Sequence, residues 1–159
     1  MVIVQRQAVR AIILSGTHEV LLLRIRPPDG DRSFWIAPGG GLEPGENVEQ
    51  GLRRELREEL GLLAFTLGPL VWQREHSFSW DGRRICQRER YHIVHLDRFE
   101  PRMHDALEVR ALDEFRWWRV SDLALTHERL TPLSLARIVT DYLANGAPAL
   151  PLDWEILVD

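Results

Sequence analysis

The chain contains no lysine: all 20 of its basic residues are arginine. That absence excludes Schiff-base chemistry and the lysine of a phosphate-binding P-loop. A single cysteine, Cys86, excludes an internal disulfide and any multi-cysteine zinc or iron–sulfur site. No apolar run approaches the roughly 18 residues of a membrane span. Arg6 and Arg10 interrupt the apolar N-terminal stretch, so a signal peptide is not expected either. The net charge of −4 leaves no basic surplus for wrapping a nucleic acid. These absences point to a soluble, cytoplasmic protein without membrane or nucleic-acid partners. Its 159 residues suit one compact domain over 1–159.

Apolar, β-branched runs at Ala8–Leu14 and Val20–Ile25, separated by Ser15-Gly16, predict two strands of a hairpin. Phe34-Trp35-Ile36 leads into Pro38-Gly39-Gly40-Gly41, a stretch expected to be irregular. Asn47–Leu60 carries the strongest helical pattern in the chain. Leu67–Phe78 and Arg90–Leu96 predict strands, with a turn at Asp81-Gly82, and Phe115–Val120 predicts another. A last helix is expected with Thr131 as N-cap, Pro132 in its first turn and Asn145-Gly146 as its stop. Strands on both sides of a helix, with a closing helix, imply a mixed α/β domain.

On the helix over 46–62, Val48, Leu52, Leu56 and Leu60 form one apolar stripe. Glu55, Glu58 and Glu59 project within roughly 100° of one another, and Glu59 points into the apolar stripe. Gly51 leaves that acidic face clear of bulk, and Arg53, Arg54 and Arg57 occupy the other side. A solvated helix laced with pairs such as Arg54–Glu58 is the plain reading. Three crowded carboxylates, one aimed at the core, argue instead for a bound cation, because unpaired buried charge is costly. Oxygen-only donors select a hard ion, magnesium or manganese. Gly39-Gly40-Gly41 and Pro44-Gly45 stand just before the helix. Exposed N–H groups beside a metal-loaded carboxylate face suit a phosphate chain.

Gly40, five residues, Glu46, seven residues, then Arg54-Glu55-Leu56-Arg57-Glu58-Glu59-Leu60-Gly61-Leu62 resembles the Nudix box at every defining position. Arg116-Trp117-Trp118 and Ser121-Asp122-Leu123 are similar to a segment near the end of that family. The resemblance implies an α/β/α sandwich around a mixed β-sheet, and hydrolysis of a nucleoside diphosphate linked to a further group X. It implies Glu55, Glu58 and Glu59 as metal ligands, Arg54 as the residue orienting them, and Glu46 in support. Gly51 departs from the commoner alanine. A metal-activated water would attack phosphorus, with Glu58 or a carboxylate among Glu108, Asp113 and Glu114 as general base; Glu108 is favoured for its distance before the paired tryptophans. A nucleotide-sensing module that does not cleave is the alternative.

Substrate contacts are expected at Gly39 and Gly40. Of the six tryptophans, Trp35 is the first choice for stacking on a base, because it lies just before the glycines. Arg26, with Arg24, is a candidate for phosphate contact, against the plainer reading as a solvated strand end. The basic cluster Arg83–Arg90 reads as a solvated hairpin. The histidines show no ligand spacing, and Cys86 shows no paired base. A homodimer through exposed aromatic strands is an expectation that the sequence does not develop further.

Overall fold

A computed structural model describes residues 2–28, 30, 32–102 and 112–158. Its strands form one mixed sheet: β1 (Ile3–Leu14), β2 (Glu19–Ile25), β3 (Phe34–Ile36), β4 (Gly39–Gly41), β5 (Leu70–Trp80), β6 (Arg83–His95), β7 (Leu112–Arg119), β8 (Leu130–Thr131) and β9 (Glu155–Val158). The helices are α1 (Val48–Leu60), α2 (Val120–Leu123) and α3 (Leu135–Asn145). The main strand order is β8-β3-β2-β1-β6-β5-β9, with β4 also on β1 and β7 also on β2.

The period of two in β1 and β2 divides their side chains between two cores. Ile12, Leu14, Val20 and Leu22 pack with Leu135, Ile138 and Val139 of α3. Ala11, Ile13, Leu21 and Leu23 pack with Leu52, Leu56 and Leu60 of α1. The sheet therefore lies between α1 and α3, the α/β/α sandwich expected from the sequence. Both β1 and β2 are apolar on successive residues because both of their faces are covered.

Three sequence-based expectations are corrected. First, the β1–β2 hairpin forms, but its antiparallel ladder is short, with Leu14↔Val20 as its register pair, and it is not the main pairing of either strand. Instead, β1 runs parallel to β6 from Ile3↔Arg84 to Leu14↔His95, and β2 pairs with β3 and β7. A hydrophobic pattern specifies which faces are buried, and the ladder partner is set by distant chain. Second, Gly39–Gly41 forms a regular strand, antiparallel to Ala8–Arg10. The glycines pair through their backbones, and side chains of ordinary size would not fit there. Third, α3 begins at Leu135 with Ser134 as N-cap, because Thr131 is taken up in β8, where it pairs with Ile36 of β3. The Asp81-Gly82 hairpin forms as expected, between β5 and β6.

Candidate active site

The site is assembled where β4 feeds α1. Asn47 and Gln50 cap each other reciprocally, each side chain accepting from the other's backbone N–H at 2.8 and 3.0 Å. Gly61 closes the helix in the left-handed conformation at φ 69°. With both ends fixed, the α1 carboxylates meet the glycine strand in a set orientation. Gly39 adopts φ 141°, and a Cβ there would collide with the Val9 carbonyl. Its N–H donates to Glu59 Oε1 at 2.8 Å. A Cβ on Gly40 would stand 2.7 Å from the Glu55 carboxyl, so glycine is what lets the strand lie over that group.

Arg54 joins these pieces. Its Nε and Nη2 donate to the two oxygens of Glu46 at 2.7 and 2.9 Å, a bidentate pair. Nη2 also donates to the Gly41 carbonyl at 3.0 Å, and Nη1 to Glu55 Oε1 at 3.1 Å and Glu58 Oε2 at 3.2 Å. The hydrogen bonds from Arg54 hold the Glu46 carboxyl down at about 2. Glu55 moves the other way: burial raises its pKa against the pull of Arg54.

Gly39, Gly40, Gly41, Glu55 and Glu59 line one side of a cavity of about 560 Å³. Among the described residues, no three His, Cys, Asp or Glu side chains stand grouped to hold a metal ion. Arg54 is the cation between Glu55 and Glu58. The donors on the cavity wall nevertheless suit a hard divalent ion: they are carboxylate oxygens, those of Glu55 and Glu59.

The cavity continues over β1, β5 and β6. Glu89, 1% exposed, accepts from Arg10 Nε and from Arg74 Nε, the latter at 2.8 Å. Burial alone would raise the Glu89 pKa, but the two guanidiniums overcome that and hold it at about 2. Arg10 also donates to the Ala37 carbonyl at 3.0 Å, which ties this part of the cavity to the segment entering β4. Arg6 lies beside Gly41 at the same cavity and makes no ion pair among the described residues.

Residues 4–138 match the NUDIX domain. The chain belongs to the Nudix family. It is 67% identical over 101 residues to the nucleoside triphosphatase NudI of Escherichia coli O1:K1 / APEC, a match covering 56% of this chain and 64% of that relative. The chain thus spans just under two thirds of that relative's length. The solution structure of the E. coli ORF135 protein aligns with a TM-score of 0.60 and 29% identity, covering 95% of this chain and 96% of that one. The crystal structure of a MutT protein from Methanosarcina mazei Go1 has a TM-score of 0.64 at 18% identity, covering 91% and 96% respectively, a likeness of fold.

In this Nudix protein, Gly39 and the box residues Gly40, Glu46, Arg54, Glu55, Glu58 and Glu59 come together, although Glu58 stays with Arg54 and does not line the cavity. Trp35 does not join them. It is 1% exposed, stands edge-on to Trp118 with ring centres 5.2 Å apart, and donates from Nε1 to Glu128 at 3.0 Å. Its place just before the glycines puts it on the buried face of β3, and the cavity is lined instead by Phe34, Phe78 and Trp80. Arg26 is exposed, 3.3 Å from Asp113, and also does not line the cavity. Asp113 is held by Arg24 first and then by Arg26, which keeps its carboxyl below the usual range; Glu114 pairs with Arg24 and Arg116. Glu108 lies outside the described residues.

The Arg10–Glu89–Arg74 network was not foreseen from the sequence. Its signal was the parity of β6: Glu89 alternates in step with the buried Ile85, Tyr91 and Ile93, and so cannot belong to a solvated cluster. Gly51 is also explained, since a Cβ there would collide with Leu42.

Proposed function

We propose that this Nudix protein hydrolyses a phosphoanhydride bond in a nucleoside diphosphate linked to a further group, using magnesium or manganese. The observation that carries this reading is the Arg54-centred cluster of Glu46, Glu55 and Glu58, with Glu59 on the Gly39 N–H, at the wall of a cavity that Arg6 and Arg10 also line. The nucleoside triphosphatase name of its E. coli relative makes nucleoside triphosphates the first substrates to try.

Glu55 and Glu59 would hold the ion from the cavity wall, with Glu58 beside them. A bound divalent ion supplies charge neutralisation on the phosphates and an acidified water. Arg54 fixes the carboxylates relative to the glycine strand, and Glu46 fixes Arg54. Arg6 offers a guanidinium to a phosphate oxygen at the Gly41 end of the cavity. Asp113 and Glu114 are paired with arginines away from α1, whereas Glu58, though paired with Arg54, stands among the α1 carboxylates, so Glu58 and Glu108 are the candidates for general base. Glu108→Gln lowers kcat by roughly 10²-fold if Glu108 has that role; an unchanged kcat assigns it to Glu58.

The test is phosphate and pyrophosphate release from nucleoside di- and triphosphates, nucleotide sugars and dinucleoside polyphosphates, with and without magnesium. Metal-dependent release from one class is the expected result and identifies the group X. Tight binding of one member without turnover under any metal condition would contradict hydrolysis and favour a sensing role.

A further inference from the structure

Among the buried polar side chains lining the cavity, the Gln87 amide has no part in the hydrolytic reading. Gln87 of β6 is 4% exposed, lines the cavity, and its amide meets no hydrogen-bond partner among the described residues. The contrast is Gln73 on β5, equally buried, whose amide donates to the Leu152 carbonyl at 2.8 Å. The amide opens on the cavity, where a ligand or water can take its donor and its acceptor.

Register places this amide relative to the rest of the cavity. Gln87 sits opposite Arg6 on β1 and opposite His76 on β5. Two residues along the same face, Phe78 stands opposite Ile85, and both line the cavity. The glycine strand pairs with the other edge of β1 at Ala8↔Gly41. Gln87 is therefore about two strand spacings, on the order of 10 Å, from the strand that covers Glu55. That offset leaves room for a sugar between a phosphate chain at the glycines and a flat ring beside Phe78.

We propose that Gln87 is a specificity-determining residue that reads the hydrogen-bonding edge of a substrate nucleobase, with Phe78 against the ring. The inference rests on the nucleotide hydrolase reading above. A carboxamide presents one donor and one acceptor side by side, which matches the paired donor and acceptor on a base edge. A neutral side chain suits an uncharged base, whereas the charged groups of the cavity, Arg6 and the α1 glutamates, suit the phosphate end. A site that hydrogen-bonds its substrate in a buried pocket discriminates strongly against a ligand lacking that group.

The experiment compares wild type, Gln87→Leu and Gln87→Glu on the standard nucleoside triphosphates and on ribose 5-triphosphate, which has no base. The expected result for Gln87→Leu is a roughly ten- to hundredfold fall in the preference for the favoured nucleotide over ribose 5-triphosphate, carried mainly by KM. Gln87→Glu loses the donor and keeps acceptors, so it shifts preference toward bases that present an amino group. Cys86→Ser, on the opposite face of the same strand, keeps the wild-type order of preference. Unchanged base preference in both Gln87 variants overturns the proposal, as does an equal loss on nucleotides and ribose 5-triphosphate, which would mean contact with the sugar. If wild type hydrolyses no member of this set, the hydrolase reading fails separately. Calorimetric binding of the same nucleoside triphosphates then decides the role of Gln87: weaker binding by Gln87→Leu supports it, and unaltered affinity overturns it.

Discussion

At the scale of single residues, two arginine–carboxylate constructions have different consequences. Arg54 uses its planar fork on Glu46 and its remaining nitrogen on Glu55 and Glu58. Lysine offers no such fork. Arg54→Lys should therefore keep the fold and lose about 10²-fold in kcat, because misplaced carboxylates degrade the reacting geometry; circular dichroism and steady-state kinetics on one preparation check both halves. Glu89 is different, since its partners Arg10 and Arg74 are themselves buried or nearly so. Removing its charge leaves two guanidiniums facing each other in low dielectric. Glu89→Gln should cost about 3–5 kcal/mol in denaturant-measured stability. The first construction was legible in the sequence, because all its members fall in one spaced motif. The second was not, because Arg10, Arg74 and Glu89 come from three strands whose pairing is nonlocal. Trp35 shows the same limit: proximity in sequence to the glycines did not reveal which way its strand would face.

At the scale of elements, the glycine strand and α1 act as one unit. The spacing of Val48, Leu52, Leu56 and Leu60 located the helix to within a residue, and its cap is Asn47. The Gly39–Gly41 strand is not legible in the sequence, because glycine runs carry no side-chain pattern from which pairing could be inferred. Its two leading glycines should respond differently to alanine. At Gly39 the added carbon meets backbone, the Val9 carbonyl, at φ 141°. Gly39→Ala should lose about 1–3 kcal/mol of stability. At Gly40 it meets the Glu55 carboxyl, a side chain that can move aside. Gly40→Ala should lose less stability than Gly39→Ala and more activity, and thermal melts run beside initial rates separate the two cases.

At the scale of the whole molecule, a mixed α/β domain was legible from apolar strands on both sides of a helix with a closing helix, and the sandwich followed from the family resemblance. The order of the strands was not legible, and so neither was the cavity that β1, β5 and β6 form with the glycine strand. The same architecture sets an acid limit on stability. Glu46 and Glu89 are both held at about 2, far below an ordinary glutamate, by Arg54 and by Arg10 with Arg74. A group with a depressed folded-state pKa stabilises the fold above its unfolded pKa, and that contribution is lost as pH falls toward the folded value. Melting temperature should therefore hold near neutral pH and fall as pH drops from about 4.5 toward 2. The fall should be shallower in Glu89→Gln, although that variant starts lower; a parallel curve would remove Glu89 from the explanation.

The central claim is that the α1 carboxylates at the glycine strand carry metal-dependent phosphoanhydride hydrolysis. It is tested most directly by nucleoside triphosphate turnover in magnesium and in EDTA, for wild type and for Glu59→Gln. Glutamine can still accept the Gly39 N–H, so the fold should remain while the anionic ligand is gone. The account predicts turnover by wild type in magnesium alone and none by Glu59→Gln under either condition. Full turnover in EDTA, or wild-type turnover by a folded Glu59→Gln protein, would contradict it.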